Sequence, residues 1–327
     1  MASLSTIKRI SLAHLPTPLD PLPALSKELG INLWVKRDDC TGMGTGGNKT
    51  RKLEYLLADA KEQKATVLVT MGAVQSNHCR QTAAVAAQHG LKCELLLTRP
   101  QQAPPEYFNN GNILLSSMFG ANLVWSDSNS SESLASLVSE RMKVLAEQGE
   151  RPYLIPVGGS NEVGALGYAL CAQELIEQCT NRLQAEPEAI VLATGSGGTQ
   201  AGILIGLRLI GKEHIKVIGI NVSASTEVQK NKVRPIVEAL GEKLRIGVPI
   251  DDELIICDDR FFGPSYGVPN DATLEAVNLF ARKEGLLLDP VYTGKAANGL
   301  IQMAKDGCFH SSKPIIFLHT GGQSALF

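Results

Sequence analysis

From Asn32 to the C-terminus, short runs rich in β-branched and aliphatic residues alternate with segments of helical periodicity. NLWVKRDD leads to a helix over 50–64, ATVLVT to one over 76–89, KCELLLT to one over 109–119, and ANLVWS follows. The rhythm resumes with EAIVLATG, TQAGILIGLRLIG, IKVIGINV, a helix over 225–240, ELIICDD, a helix over 271–284 and PIIFLHTGG. Such punctuation builds βαβ units, and strands apolar on both faces suit parallel sheets covered by helices. In the helix after Lys49, Leu53, Leu56, Leu57 and Ala60 form one apolar stripe, with Arg51, Glu54 and Lys61 outside it. That stripe packs on a sheet. The stretches 99–106 (RPQQAPPE), 126–133 (SDSNSSES) and 243–252 lack pattern and read as surface loops.

A chain of 327 residues, 44% hydrophobic and 20% charged, has material for two α/β domains. Its 31 basic and 33 acidic residues are interspersed and leave a net charge of -2, so no nucleic-acid partner is expected. The first 20 residues hold Lys8 and Arg9 but no signal-peptide core, and no later apolar run nears the ~18 residues of a membrane helix. The chain is expected to be soluble and cytoplasmic. Cys40, Cys79, Cys93, Cys171, Cys179, Cys257 and Cys308 form no C-x-x-C and no metal-ligand spacing. They read as small core residues in a reducing compartment, with no metal site expected.

In a two-domain α/β chain, the ligand belongs at strand C-termini, so the polar loops after strands carry the chemistry. GTGGNKTRKLE (44–54) sets Lys49 behind a glycine pair at a loop-to-helix junction. It can be a phosphate clamp, a cofactor anchor, or a turn with a solvated charge behind it. VLATGSGGTQAG joins a strand to a helix through Gly195, Ser196, Gly197, Gly198 and Thr199. This is a phosphate-cradling arrangement, or a turn that lets a helix pack closely. It fails the dinucleotide fingerprint because Gln200 stands at the third glycine; Gly42 and Gly47 fail the Walker pattern because Asn48 precedes the lysine. NAD and ATP chemistry are therefore disfavoured.

GAVQSNHCRQTAAVAAQHG places Ser76 at an N-cap, followed by Asn77 and His78. The helix start is either an anion site or only a cap, and His78, without an acidic or cysteine partner at useful spacing, receives no role. Tyr266, Tyr292, Thr293 and Thr320 lie in glycine-flanked loops, where tyrosine rings can stack on a flat cofactor or simply pack.

Together these features suggest an aldehyde cofactor with a phosphate arm, pyridoxal 5'-phosphate on a Schiff-base lysine. GGNKTRKLE, GAVQSNH, ATGSGGTQAG, YGVPND, DPVYTGK and HTGG, in that order across essentially the whole chain, resemble the D-cysteine desulfhydrase and 1-aminocyclopropane-1-carboxylate deaminase family. The resemblance implies the tryptophan-synthase-β-like fold (fold type II), with a large domain over 1–52 and 160–327, a small one over 53–159, and a homodimer. It makes Lys49 the cofactor anchor and catalytic base, and sets Lys52 and the 195–199 loop on the phosphate. It puts Asn77 on the ring hydroxyl oxygen, Tyr292 along the ring and Thr320 at the pyridine nitrogen. Ser76, Asn77, Gln75 and Thr293 would meet an amino-acid substrate, with the Tyr266 hydroxyl on the substrate side.

In the deaminase branch a glutamate follows the tyrosine of DPVY and a leucine replaces the threonine of HTGG; this chain has Thr293 and Thr320. A neutral hydroxyl favours the unprotonated ring, a weaker electron sink suited to easy leaving groups. A thiol, which ordinarily ionises near pH ~8.5, leaves more readily than carbon does. The expected reaction is therefore β-elimination of sulfide, and YGVPND with YFNNGN, which resemble the desulfhydrase branch, imply D-cysteine as the substrate. AHLPTPL and KRDDCTGMGTGGNKTRKLE resemble the L-cysteate sulfo-lyase branch, which keeps sulfite release as the alternative.

Overall fold

The computed structural model describes residues 4–98, 104–126, 130–247, 251–310 and 312–327. Its strands form two sheets. The larger one is built from β1 (Leu19–Pro21), β2 (Asn32–Lys36), β7 (Ala189–Thr194), β8 (Lys216–Asn221), β9 (Ile256–Asp258) and β10 (Pro314–Leu318), in the order β1-β2-β10-β7-β8-β9. The smaller one holds β3 (Val67–Ala73), β4 (Lys92–Thr98), β5 (Asn122–Ser126) and β6 (Pro152–Leu154), in the order β5-β4-β3-β6. Only β1, against β2, pairs antiparallel among the named strands. The β10–β2 pairing, Pro314 opposite Asn32 through Leu318 opposite Lys36, brings the two ends of the chain into one sheet.

The helices are α1 (Pro23–Leu29), α2 (Lys49–Glu62), α3 (Asn77–Gln88), α4 (Gly111–Met118), α5 (Ser131–Glu147), α6 (Glu162–Gln178), α7 (Gly198–Leu209), α8 (Thr226–Leu244), α9 (Asp271–Glu284) and α10 (Thr293–Lys305). Helices cover both faces of the large sheet. Ile190, Leu192 and Ile316 face one core with α6, α7 and α8; Val191, Ile315 and Phe317 face the other with α9 and α10. That double burial is why these strands read as unbroken apolar runs. The smaller sheet likewise separates a core around Leu68 and Leu95 from one around Val67 and Val69.

Of the expected loops, 99–103, 127–129 and 248–250 lie outside the described residues. A 3-10 turn occupies Pro105–Phe108, α5 has begun by Ser131, and α8 runs on to Leu244, where Arg245 closes it in a left-handed conformation.

In α2, Leu53, Leu56, Leu57 and Ala60 are fully buried and Lys61 is exposed, but Arg51 and Glu54 outside the stripe are buried too. Arg51 donates to Asp38 and Glu174, while Glu54 accepts from the amides of Leu12 and Ala13 and from Arg9. The helix is enclosed from Thr50 to Ala58, with α6 against its charged flank. Each buried charge therefore needs its ion pair or amide donors. All seven cysteines are free thiols; five are buried, and Cys40 and Cys308 are exposed. Among the described residues no helix is long and apolar enough to cross a membrane.

Candidate active site

A cavity of about 670 Å³ opens where the two sheets face each other. Its walls follow the C-terminal ends of parallel strands: Ser76 and Asn77 after β3, Gly158 and Ser160 after β6, the 195–197 loop after β7, Val222 after β8, Thr320 after β10. This is the crevice in which open α/β sheets bind ligands.

Lys49 is the first residue of α2 and lines the cavity. The preceding loop bends through Gly42, Gly44, Gly46 and Gly47, all at positive φ, and a Cβ on Gly46 would run into the Asp39 carbonyl. Only glycine allows that approach. Thr41 fixes the turn by accepting from the Gly47 amide at 2.7 Å and donating to the Gly47 carbonyl at 2.9 Å. Asn48 then donates its backbone amide to Thr320 O (2.9 Å) and its side chain to Thr199 Oγ1 (3.0 Å). The Lys49 ammonium, left without an ion pair among the described residues, is pushed down to about 8 by desolvation. That places a substantial neutral-amine fraction near physiological pH.

Lys52, one turn on, is fully buried and donates to Gly158 O (3.1 Å) and Ser160 Oγ (3.0 Å). Desolvation, with the Lys49 charge second, drives it well below the usual ammonium range. It does not line the cavity; it stands behind Gly158 and Ser160, which do. Ser160 also receives the Gly198 amide (3.2 Å) and bonds the Ser196 hydroxyl (2.8 Å). Sequence reasoning missed Ser160 because its partners are far away in the chain.

Gly197, at φ +85°, turns the chain into α7 and carries no capping side chain of its own; the Gly198 amide goes to Ser160 Oγ. The amides that follow in the first turn of α7 and the positive end of its dipole are available to an anion. Close packing holds the loop as well: a Cβ on Gly195 would come within 2.9 Å of Val222, and one on Gly198 within 2.6 Å of Ser160 Oγ. Gly195, Ser196, Gly197 and Thr199 line the cavity, while Gly198 sits against Ser160 behind it.

At the start of α3, Ser76 Oγ accepts from the Cys79 amide at 3.2 Å, so it is the N-cap and also lines the cavity. Asn77 Oδ1 accepts from Asn112 Nδ2 (3.0 Å), and Asn77 Nδ2 has no protein partner among the described residues. Gln75 is not brought to the cavity. Its amide group donates to Tyr107 O and Asn110 O and its oxygen accepts from Asn112 N, so loop closure uses both ends. His78 does line the cavity. Thr70 Oγ1 donates to Ile155 O, so the 2.8 Å contact with His78 Nε2 makes that nitrogen the donor. Burial, then the charges of Lys49 and Lys52, keep the ring neutral.

On the opposite wall the Tyr266 and Tyr292 hydroxyls bond each other, with ring centroids 5.9 Å apart at 74°. Lys295, fully buried in α10, donates to Val222 O (3.2 Å) and Ser265 O (3.0 Å), tying the Tyr266 loop to the helix that follows Tyr292. Thr293 is the second expected substrate contact that the structure does not bring to the cavity. Its hydroxyl donates to Asp289 Oδ1 (2.7 Å) and accepts from Asp289 N (2.9 Å), closing the first turn of α10. Thr320 lines the cavity, and its hydroxyl has no hydrogen-bond partner among the described residues.

Lys49, Lys52 and the buried Arg80 form no ion pair with any described carboxylate, and no Asp or Glu lines the cavity. Lys49 on the wall with Lys52 behind it, the start of α7, the Asn77 amide and the Thr320 hydroxyl suit a flat ligand with a phosphate arm. The donor set fits pyridoxal phosphate.

Comparison with known proteins agrees. The model of the pyridoxal-phosphate dependent enzyme family matches residues 10–321. A D-cysteine desulfhydrase of Salmonella typhi is 46% identical over 325 residues, 99% of this chain and 97% of that one. A crystal structure of an ACC deaminase homologue superposes with a TM-score of 0.89 at 35% identity, covering 99% of this chain and 94% of the other. A pyridoxal 5'-phosphate-dependent aspartate racemase shares the fold alone, at TM-score 0.64 and 19% identity over 94% and 90% of the two chains. On a match that spans nearly its whole length, the chain belongs to the pyridoxal-phosphate dependent enzyme family.

Proposed function

We propose that the protein converts D-cysteine and water to pyruvate, ammonia and hydrogen sulfide. The observation that carries this reading is the cavity wall itself: Lys49 is its one low-pKa amine, and no carboxylate lines it among the described residues. Thr320 would offer a ring nitrogen a neutral hydroxyl in place of an acid that would keep it protonated, which suits a good leaving group such as thiolate. The 46% identical desulfhydrase supports the same substrate.

Pyridoxal phosphate, when bound, supplies an electron sink for the substrate's α-carbon. Lys49 anchors it, and once free its neutral amine takes the α-proton. The N-terminus of α3, with Ser76 and Asn77, receives the substrate carboxylate. Gly195, Ser196, Gly197 and Thr199 would hold the phosphate, with Gly198 packed on Ser160 behind them and Lys52 donating to Ser160 from the same side. Tyr292 would line the bound ring, and the Tyr266 hydroxyl, bonded to that of Tyr292, would lie on the substrate side.

The domain division at 52/53 and 159/160 belongs to the same proposal, supported by a large sheet drawn from both chain ends and a small one from 67–154. So does a cytoplasmic homodimer. All seven thiols are free, and Leu114, Met118 and Phe327 expose apolar surface where α4 meets the C-terminal turn. Light scattering on the purified protein tests the dimer.

L-cysteate sulfo-lyase activity is the second reading. Lys232, an exposed cation of α8 on the cavity wall, could meet a sulfonate. Assaying D-cysteine, L-cysteine, L-cysteate and 1-aminocyclopropane-1-carboxylate side by side decides. Sulfide from D-cysteine supports the first reading; sulfite from cysteate with no sulfide from D-cysteine overturns it.

A further inference from the structure

We propose that Arg80 and Asn112 are positioning residues that set which way round the Asn77 amide faces, presenting its NH2 group rather than its oxygen to the ring oxygen of the cofactor. The inference rests on the reading that Asn77 meets that ring.

The chain of hydrogen bonds has one direction. Arginine carries donors only, so the Asn112 atom 2.9 Å from the Arg80 guanidinium has to be the amide oxygen. Asn112 Nδ2 then points the other way and donates to Gln75 O and to Asn77 Oδ1, each at 3.0 Å. Gln75 O is a backbone carbonyl and only accepts, which constrains Asn112 a second time. With its oxygen engaged, Asn77 has only its NH2 left for the cavity.

The anchor of this chain is itself rigid. Arg80 is 1% exposed and Asn112 is fully buried. Arg80 also donates to Gly46 O (2.7 Å), in the loop before Lys49, and to Ser324 Oγ (2.5 Å). Among the described residues no carboxylate pairs with it, and burial lowers its pKa to about 10. A buried cation at the head of a hydrogen-bond chain polarises each link toward the cavity. An anion accepting from Asn77 gains from that polarisation; an Asn77 oxygen facing the anion would oppose it.

Asn112→Asp tests the direction while keeping the side chain's size. Both oxygens of the introduced carboxylate accept, so it still pairs with Arg80, and Asn77 must turn its NH2 toward it and away from the cavity. Pyridoxal phosphate is titrated into wild type, N112D, N77A and N112D/N77A, with affinity and the visible absorption band of the bound cofactor as readouts. N112D is expected to weaken binding about tenfold or more and to displace the band. In the N77A background N112D should change neither further. N112D with wild-type affinity and band, or with an equal loss in both backgrounds, overturns the proposal. N77A with wild-type affinity and band overturns instead the reading that Asn77 meets the ring. If circular dichroism shows N112D unfolded, N112L takes its place in the same cycle, with the same criteria.

Discussion

Asn48 donates its side-chain amide to the Thr199 hydroxyl across 3.0 Å, tying the residue before Lys49 to the first turn of the helix behind the phosphate loop. The start of α2 and the start of α7 are thereby registered to each other, although 151 residues separate the two partners. Asn48→Ala should loosen that registration and cost about 1 kcal/mol, a five- to tenfold weaker hold on pyridoxal phosphate. Fluorescence titration of the cofactor-free protein checks this; an unchanged affinity would count against the coupling.

Lys49 should give cofactor capture a pH dependence. Its pKa falls from 10.5 to about 8 on folding, so above pH 8 the amine is increasingly neutral and nucleophilic. The rate of pyridoxal phosphate capture by the cofactor-free protein should rise through pH 8 and then level. Stability follows the same sign: between about 8 and 10.5 the unfolded chain binds the extra proton, so this group's penalty is full below that window and fades as pH rises through it. A capture rate flat through pH 8 would contradict the assignment.

Lys295→Met removes the two donors that hold Val222 O and Ser265 O, and with them the fixed placement of the Tyr266 loop. Turnover should fall about tenfold, as misplacing a reacting group does, while cofactor loading at Lys49 stays at the wild-type level. Steady-state kinetics beside cofactor absorbance separates the two effects.

Lys232 reports on the choice of leaving group. It is exposed, so Lys232→Met should weaken inhibition by L-cysteate by no more than about fivefold and leave the KM for D-cysteine within about twofold. The difference should vanish at high salt. Dose–response curves at two ionic strengths measure it.

What the sequence disclosed was local. The glycines before Lys49 and around 195–198, the cap at Ser76 and the alternation of strand and helix are all written in neighbouring residues, and the structure carries each of them. Residues that act through distant partners were silent. Ser160 takes its meaning from Lys52 and Ser196, Asn112 from Asn77, and Lys295 from Val222. Arg80, in an alanine-rich stretch, carries no local signal of its buried contacts with Asn112 and Gly46. Thr293 and Gln75 failed in the opposite sense. Each stands inside a recognisable motif, but Asp289 and the 107–112 segment had already used their hydrogen-bonding groups.

The most direct measurement follows sulfide and pyruvate together from D-cysteine, with wild type and Lys49→Ala in parallel. Equal amounts of the two products from wild type, and neither above background from the variant, are the result predicted here. Sulfide released by Lys49→Ala at the wild-type rate, or no sulfide from the cofactor-loaded wild type, would contradict it.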